Sequence, residues 1–274
     1  MISSLRKAAA AVLAAAVIAS GCASGSVPAQ TSPAAEITSA QTTAAETTEK
    51  YEKGENPVRT AEELAGKKVI ALTFDDGPNT GVTNEILDLV EEYGIKVSFY
   101  VVGQNITPDT AEVMQRAHSL GCEINSHSFT HSYMNEMSAE DIKDEMSHTA
   151  QLIYDTVGEY PKFFRPPYIA VNETMFDCID LPFISGIGCN DWDDSVSVEK
   201  RVRFLTEKCP EGCIILMHDA ANNEKTAEAV RQSIPVMLEN GFEFVTTSEL
   251  FIAKGITPTS DGIVYSYATE NGMK

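Results

Sequence analysis

The chain has 274 residues, 43% of them hydrophobic, and sets 20 basic against 40 acidic side chains for a formal net charge of −20. That balance excludes a nucleic-acid backbone as partner, because no basic stripe or aromatic platform offsets the repulsion. The length allows one large domain or two small ones, each able to bury a core.

At the N-terminus, Arg6 and Lys7 precede a continuous stretch of small apolar residues over 8–19. The stretch is short of the roughly 20 residues that a membrane span needs, but it suits the core of an export signal over residues 1–21. Ala19-Ser20-Gly21-Cys22 resembles the processing box of bacterial lipoproteins, which makes Cys22 the expected lipidation site. An ordinary secretory signal cut nearby is the plainer alternative. On the lipoprotein reading the protein is exported, lies outside the cytoplasmic membrane or in the envelope, and meets the membrane through lipid only. Residues 22–64 read as a tether. As far as residue 50 the tether is Ala, Thr, Ser, Glu, Gln and Pro, too little apolar surface to offset the entropy of ordering. Residues 51–67 form a transition able to dock on the folded body. The domain itself is expected over 65–255, with a C-terminal extension over 256–274.

The domain opens with the apolar run Val69, Ile70, Ala71, Leu72, which leads into Asp75 and Asp76 before Gly77 and Pro78 turn the chain. A short, partly β-branched run closed by turn formers is a strand. Two carboxylates at its tip cannot both be core residues. They stand either as a solvated turn or as a site in which one holds a cation and the other moves a proton. Further strands are expected at 96–102, 122–125, 163–164, 183–188, 212–217 and 242–246. Helices are expected at 84–92, 108–120, 138–157, 172–179, 198–208 and 223–239. Such alternation means an α/β domain with a largely parallel sheet. Polar clusters follow the strands: His127 to His131, Arg165 to Tyr168, Asn190 to Asp194, and His218-Asp219. Parallel barrels and sheets place their chemistry at those strand ends.

His127 and His131 alone could be surface histidines. Joined by an acid from another strand end, they make a His, His, Asp set that leaves positions for water, as catalytic metal sites do. His118 and His148, outside these clusters, read as solvated or packing residues. Asp193, Asp194 and Asp219 read as solvated loop acids, and Trp192 as core or site wall. Beyond Cys22 five cysteines remain, Cys122, Cys178, Cys189, Cys209 and Cys213. Cys209 and Cys213 could close a small loop disulfide, and reduced buried thiols fit equally.

Five motifs occur in order: Thr73-Phe-Asp-Asp-Gly-Pro78, His127-Ser-Phe-Thr-His131, Arg165-Pro-Pro-Tyr168, Asp191-Trp192 and Leu216-Met-His218. Together, over residues 66–250, they resemble the polysaccharide deacetylase family, also called the NodB-homology or carbohydrate esterase family four domain. The resemblance implies a distorted (β/α) barrel, seven-stranded, and a monomeric divalent-metal hydrolase. Its partner would be an acetylated glycan, either an N-acetylated sugar or O-acetylated xylan. By the same resemblance Asp76, His127 and His131 are metal ligands and Asp75 is the general base, oriented by Arg165. Tyr168 offers a backbone N–H to the oxyanion, His218 is the catalytic acid partnered by Asp191, and Leu216 and Trp192 wall the acetyl pocket. Zinc suits two imidazoles and a carboxylate, with cobalt, nickel or manganese left open. Ile169 stands where the family often has glycine, and the region before Asp191 lacks the commoner spaced acids. Both departures bear on groove shape. With a lipid tether, N-acetylglucosamine of peptidoglycan is the first expected substrate, with chitin-like oligomers or acetylated xylan behind it. A glycan-binding envelope protein without catalysis is the alternative of another class, and no motif residue is missing in its favour.

Overall fold

The computed structural model describes residues 51–273, so the signal stretch, Cys22 and the tether to residue 50 lie outside the described residues. In chain order come α1 (Ala61–Leu64), β1 (Lys68–Asp75), α2 (Val82–Tyr93), β2 (Ser98–Val101), α3 (Pro108–Ser119), β3 (Glu123–Ser126), α4 (Ala139–Val157) and α5 (Glu173–Cys178). They are followed by β4 (Phe183–Ile184), α6 (Val198–Glu207), β5 (Ile214–His218), α7 (Glu224–Glu239), β6 (Phe242–Phe244), α8 (Thr247–Lys254) and β7 (Val264–Tyr265). Side-chain caps set most helix starts. Thr107, Ser138, Asn172, Ser197 and Thr246 each accept from the backbone N–H three residues on, satisfying a donor that would otherwise lack a partner.

β1 is the central strand. It pairs in parallel with β2, Thr73 opposite Ser98, and with β5 from Ala71 opposite Ile214 to Asp75 opposite His218. Its first residues, Lys68 to Ile70, pair with β6. Covered on both faces, β1 is apolar on both, and Val69, Ile70, Ala71, Leu72 and Phe74 are all buried, as expected of a parallel strand. β2 pairs with β3. Single parallel bridges then carry the pairing from Ser126 to Phe164, from Phe164 to Phe183 and from Ile187 back to Ile215 on β5. That circuit is the distorted (β/α) barrel, joined on one side by bridges where a regular barrel has ladders.

The described residues form seven strands, though not the seven expected. Residues 163–164 contribute bridges only, because Pro161 before them and Pro166 and Pro167 after them offer no backbone N–H to a ladder. The remaining strand, β7, comes from the segment read as an extension. It pairs with β4, Phe183 opposite Val264, and buries Tyr265 against Phe251. Helix α8, after the last expected strand, contributes Leu250 and Phe251 to the same core.

The transition segment docks at the other end of the barrel. Arg59 donates to Glu249 and to the Phe244 carbonyl, and Asn56 donates to the His118 carbonyl. Burial by itself would raise the Glu249 carboxyl, but hydrogen bonds from Arg59 and Lys96 hold it down to about 2. Part of the expected tether, residues 54–64, is therefore packed structure, α1 included. No helix among the described residues is long and apolar enough to cross a membrane.

Candidate active site

Strand ends meet at one cavity of about 630 Å³, lined by every expected site residue of the five motifs except Arg165, which lies behind the wall. Asp75 is the last residue of β1, fully buried, and accepts from Arg165 Nη1 at 2.5 Å. Burial pushes the Asp75 carboxyl up, against the pull of Arg165 and His218. The result is a carboxylate that can be charged in a dry site and still take a proton. Arg165, itself fully buried, donates its other nitrogen to the Ser185 carbonyl at 2.6 Å and lies 4.0 Å over the Tyr100 ring.

Asp75 Oδ2 lies 3.8 Å from His127 Nε2, and Asp76, beside it at the strand tip, has its backbone at φ 78°. Its Oδ1 lies 3.6 Å from His127 Nε2 and 3.3 Å from His131 Nε2. Among the described residues these three are the one cluster of such groups whose ligand atoms lie within 4.8 Å of one another. The spacing fits a metal: tetrahedral ligands at about 2.0–2.1 Å from zinc stand roughly 3.3–3.4 Å apart. The tautomer fits too. His127 Nδ1 donates to the Arg165 carbonyl at 2.7 Å, leaving the Nε2 lone pair toward Asp76, the outer hydrogen bond that metal-bound histidines usually make. Burial also lowers His127 to about 3, so its ring is neutral as a ligand must be. Asp76, His127 and His131 would hold a divalent cation.

His218, the last residue of β5, is in register with Asp75 on the adjacent strand. Its Nδ1 donates to Asp191 Oδ1 at 2.8 Å, and its backbone N–H donates to Asp191 Oδ2 at 2.8 Å. Burial opposes protonation of the ring, but the Asp191 hydrogen bond and charge, then the charges of Asp75 and Asp76, override it and raise His218 to about 9. The ring is thus a proton donor at neutral pH. Behind it stands a shell that motif reading missed. Thr226 donates to Asp191 at 2.7 Å, fully buried Arg201 donates to Thr226 and Asn223, and Asn223 donates to the His218 carbonyl.

Tyr168 sits at φ 59° in a single 3-10 turn, Pro167–Ile169, and its N–H donates to nothing among the described residues. Its ring is 55% exposed, stacked on Tyr133 at 4.0 Å and edge-on to His131. Trp192 is 65% exposed and lines the cavity, so it is a wall and not core. Leu216 forms the opposite kind of contact, packed where Gly186 leaves room: a Cβ there would lie 2.8 Å from Leu216 Cβ.

Three expectations change or narrow. Asp219 is not a solvated loop acid but fully buried, accepting from the Gly77 N–H at 3.1 Å and the Thr83 hydroxyl at 2.5 Å. A side chain at Gly77 would collide with it, so Asp219 holds the turn that aims Asp75 and Asp76. His118 is a buried packing residue facing Glu159, whereas His148 is exposed and stacked on Phe129. Asp194 is exposed and paired with Lys225. The five described cysteines are free thiols, Cys209 and Cys213 included.

A parallel barrel that brings a His-His-Asp cluster, a buried carboxylate and a histidine paired with an aspartate to one cavity is an arrangement suited to metal-assisted hydrolysis. The family model for polysaccharide deacetylase matches residues 63–180. A bifunctional xylanase/deacetylase of Pseudobutyrivibrio xylanivorans is 44% identical over 200 residues, 73% of this chain and 33% of that protein. A peptidoglycan-N-acetylglucosamine deacetylase of Listeria monocytogenes is 31% identical over 67% of this chain and 39% of that one. The chain therefore spans between about a third and two fifths of the length of these curated relatives. Among solved structures, the Xyl-CE4 domain of a multidomain xylanase from the hindgut metagenome of Trinervitermes trinervoides is similar at a TM-score of 0.73 and 46% identity, over 76% of this chain and 100% of that one. A family 4 acetyl xylan esterase from Clostridium thermocellum, in complex with a cobalt ion, is similar at 0.70 and 37%, over 73% and 98%. The chain belongs to the polysaccharide deacetylase family.

Asp219 yields a pH test. Burial, with the charges of Asp76 and Asp75 behind it, raises its carboxyl to about 7 against the hydrogen bonds from Thr83 and Gly77. In the unfolded chain it titrates near the ordinary Asp value of about 3.9. The folded state binds the extra proton, so this group's contribution to stability is complete below about pH 4 and is lost as pH rises to about 7. In metal-free protein the stability of wild type relative to Asp219→Asn should fall across that window, by at most about 1.4 kcal/mol per pH unit. Urea unfolding at pH 5 and pH 7.5 measures it, and an unchanged difference would mean an ordinary carboxyl.

Proposed function

We propose that this chain is a divalent-metal-dependent deacetylase that removes acetyl groups from a carbohydrate polymer, with O-acetylated xylan ahead of N-acetylated glycans. The observation that carries the reaction is the register of Asp75 against His218, which sets a buried base and a protonated acid side by side at one cavity with the Asp76, His127, His131 cluster. A bound cation supplies Lewis acidity toward the acetyl carbonyl and a lowered pKa for water. Asp75 takes the proton of the attacking water, and Arg165 steadies the charge of that carboxylate before transfer. The Tyr168 N–H faces the negative charge that develops on the carbonyl oxygen. As water oxygen bonds to the acetyl carbon, the bond to the sugar oxygen or nitrogen breaks, and His218 gives its proton to that leaving atom. Acetate and a free hydroxyl or amine result.

The order of substrates here differs from the expectation drawn from the tether. The relatives of higher identity bear xylan in their names, and no lysine or arginine lines the cavity to meet the carboxylates of peptidoglycan stems. N-acetylglucosamine in peptidoglycan or chitin-like oligomers is the second reading, supported by the Listeria relative. Export and lipidation at Cys22 are also proposed.

Acetate release assayed side by side should be fastest from acetylated xylan, and faster release from peptidoglycan would reverse the order. His218→Ala should cost about 10²- to 10⁴-fold on an N-acetylated oligomer and less on an O-acetyl ester, whose leaving group needs less help. Asp191→Asn should move the alkaline limb of the pH–rate profile to lower pH, because His218 loses the negative charge that raises it and gives up its proton earlier. Finally, intact mass should find acyl chains on the wild type and none on Cys22→Ser. Equal masses apart from the substitution would reject the anchor.

A further inference from the structure

The loop between the two imidazoles is held by a side chain that touches neither of them. Glu145, on α4, takes three hydrogen bonds from it. The Phe129 and Thr130 N–H groups donate to Oε2 at 2.7 and 2.8 Å, and the Thr130 hydroxyl donates to Oε1 at 2.7 Å. The loop needs holding, because Ser128 and His131 sit at φ 67° and 58°. Residues with a side chain persist there only when their surroundings over-determine them. The carbonyls of Ser128 and Phe129 are fixed by the N–H groups of Gly103 and Gln104 at 2.9 and 3.0 Å, and the His131 N–H donates to Ser128 Oγ at 3.0 Å. The two intervening amides have Glu145 as their partner. That carboxylate comes from a rigid element: α4 buries Ile142 and Ile153, and Thr149 bonds back to the Glu145 carbonyl.

We propose that Glu145 is a positioning residue for the cation: by fixing the Phe129 and Thr130 amides it keeps His131 at ligating distance from Asp76 and His127, and so sets metal affinity. The proposal rests on the metal-dependent reading of those three residues. His127 has its own anchor in the Arg165 carbonyl. His131, about a quarter exposed at the far end of the loop, meets the Tyr168 ring edge-on but among the described residues its Nδ1 has no hydrogen bond like that of His127, so it is the ligand that a loosened loop would displace. Groups that orient ligands from behind typically change affinity by about 10- to 100-fold.

The test is calorimetric titration of chelator-stripped full-length protein with cobalt(II) and zinc(II) chloride, together with the visible spectrum of the cobalt form. Wild type, Glu145→Gln, Glu145→Asp, Glu145→Ala and His131→Ala are compared. Gln keeps the length and an acceptor for both amides, whereas Asp keeps the charge but falls short of the loop. Positioning predicts affinity within a few-fold of wild type for Gln, and a loss of about 10- to 100-fold for Asp and Ala. In those two the cobalt spectrum should move toward that of His131→Ala. The opposite order, with Asp retained and Gln weakened, would mean that only charge matters and would overturn the proposal. Equal affinities and spectra across the Glu145 variants would also overturn it, whatever their thermal stability. Should Ala fail to fold, the contrast between Gln and Asp still decides. A wild type that takes up no cobalt would instead overturn the metal-site reading beneath it.

Discussion

Charge inside the barrel is tolerable because of Arg165. A buried unpaired carboxylate is costly, and Asp75 is buried because it ends the central strand. Arg165 answers that charge and is answered in turn by the Ser185 carbonyl and the face of Tyr100. Its backbone extends the role: its N–H donates to the Ser126 carbonyl, and its own carbonyl orients the His127 ring. One residue thus joins β1, β2, β3 and the segment after β4 on the side where the barrel is closed by bridges alone. Removing its side chain would leave Asp75 uncompensated and loosen the weakest seam of the fold together.

Each group given a part in the proposed reaction is held by a neighbour that has none. Asp219 pins the turn beyond Asp75 and Asp76, Glu145 pins the loop between the histidines, and Thr226 with Arg201 and Asn223 fixes Asp191 behind His218. The site uses backbone conformations that side chains dislike, at Asp76, Ser128, His131 and Tyr168. Such conformations survive where hydrogen bonds over-determine them.

The opposed shifts of the titrating groups follow from what surrounds each. His218 and His127 are both imidazoles at the same cavity, yet one is raised to about 9 and the other lowered to about 3. Burial lowers both. At His127 it outweighs the charge of Asp76, with the charges of His131 and Arg165 pushing the same way as burial, so the partner at Nδ1 tips the balance. Asp191 offers His218 a full negative charge, which outweighs burial, whereas the Arg165 carbonyl offers His127 only a dipole, which does not. One residue type thus supplies a ring that keeps its proton and a ring that is neutral, as the proposed acid and the proposed ligand require.

Much of this was legible in the chain itself. An apolar run that stops at Asp75-Asp76 or at His218 announces a strand and what lies at its tip, because burial and its end are local properties. Helix starts at Ser138 or Asn172 were equally plain, since the cap lies within one turn. Asp219 and Glu145 were not. In sequence, Asp219 is one more acid after a strand, and Glu145 resembles its exposed neighbours Asp141 and Asp144. Their partners, Gly77 and Thr83 for the first and Phe129 and Thr130 for the second, lie far off along the chain or across a loop. The sequence by itself therefore determined most of the elements from β1 to β6, their order and the polar residues at their ends. Only tertiary structure decided which acids are buried, which strand the C-terminal segment supplies and which groups hold the others in place, because hydrogen bonding and burial between distant residues depend on how the elements pack.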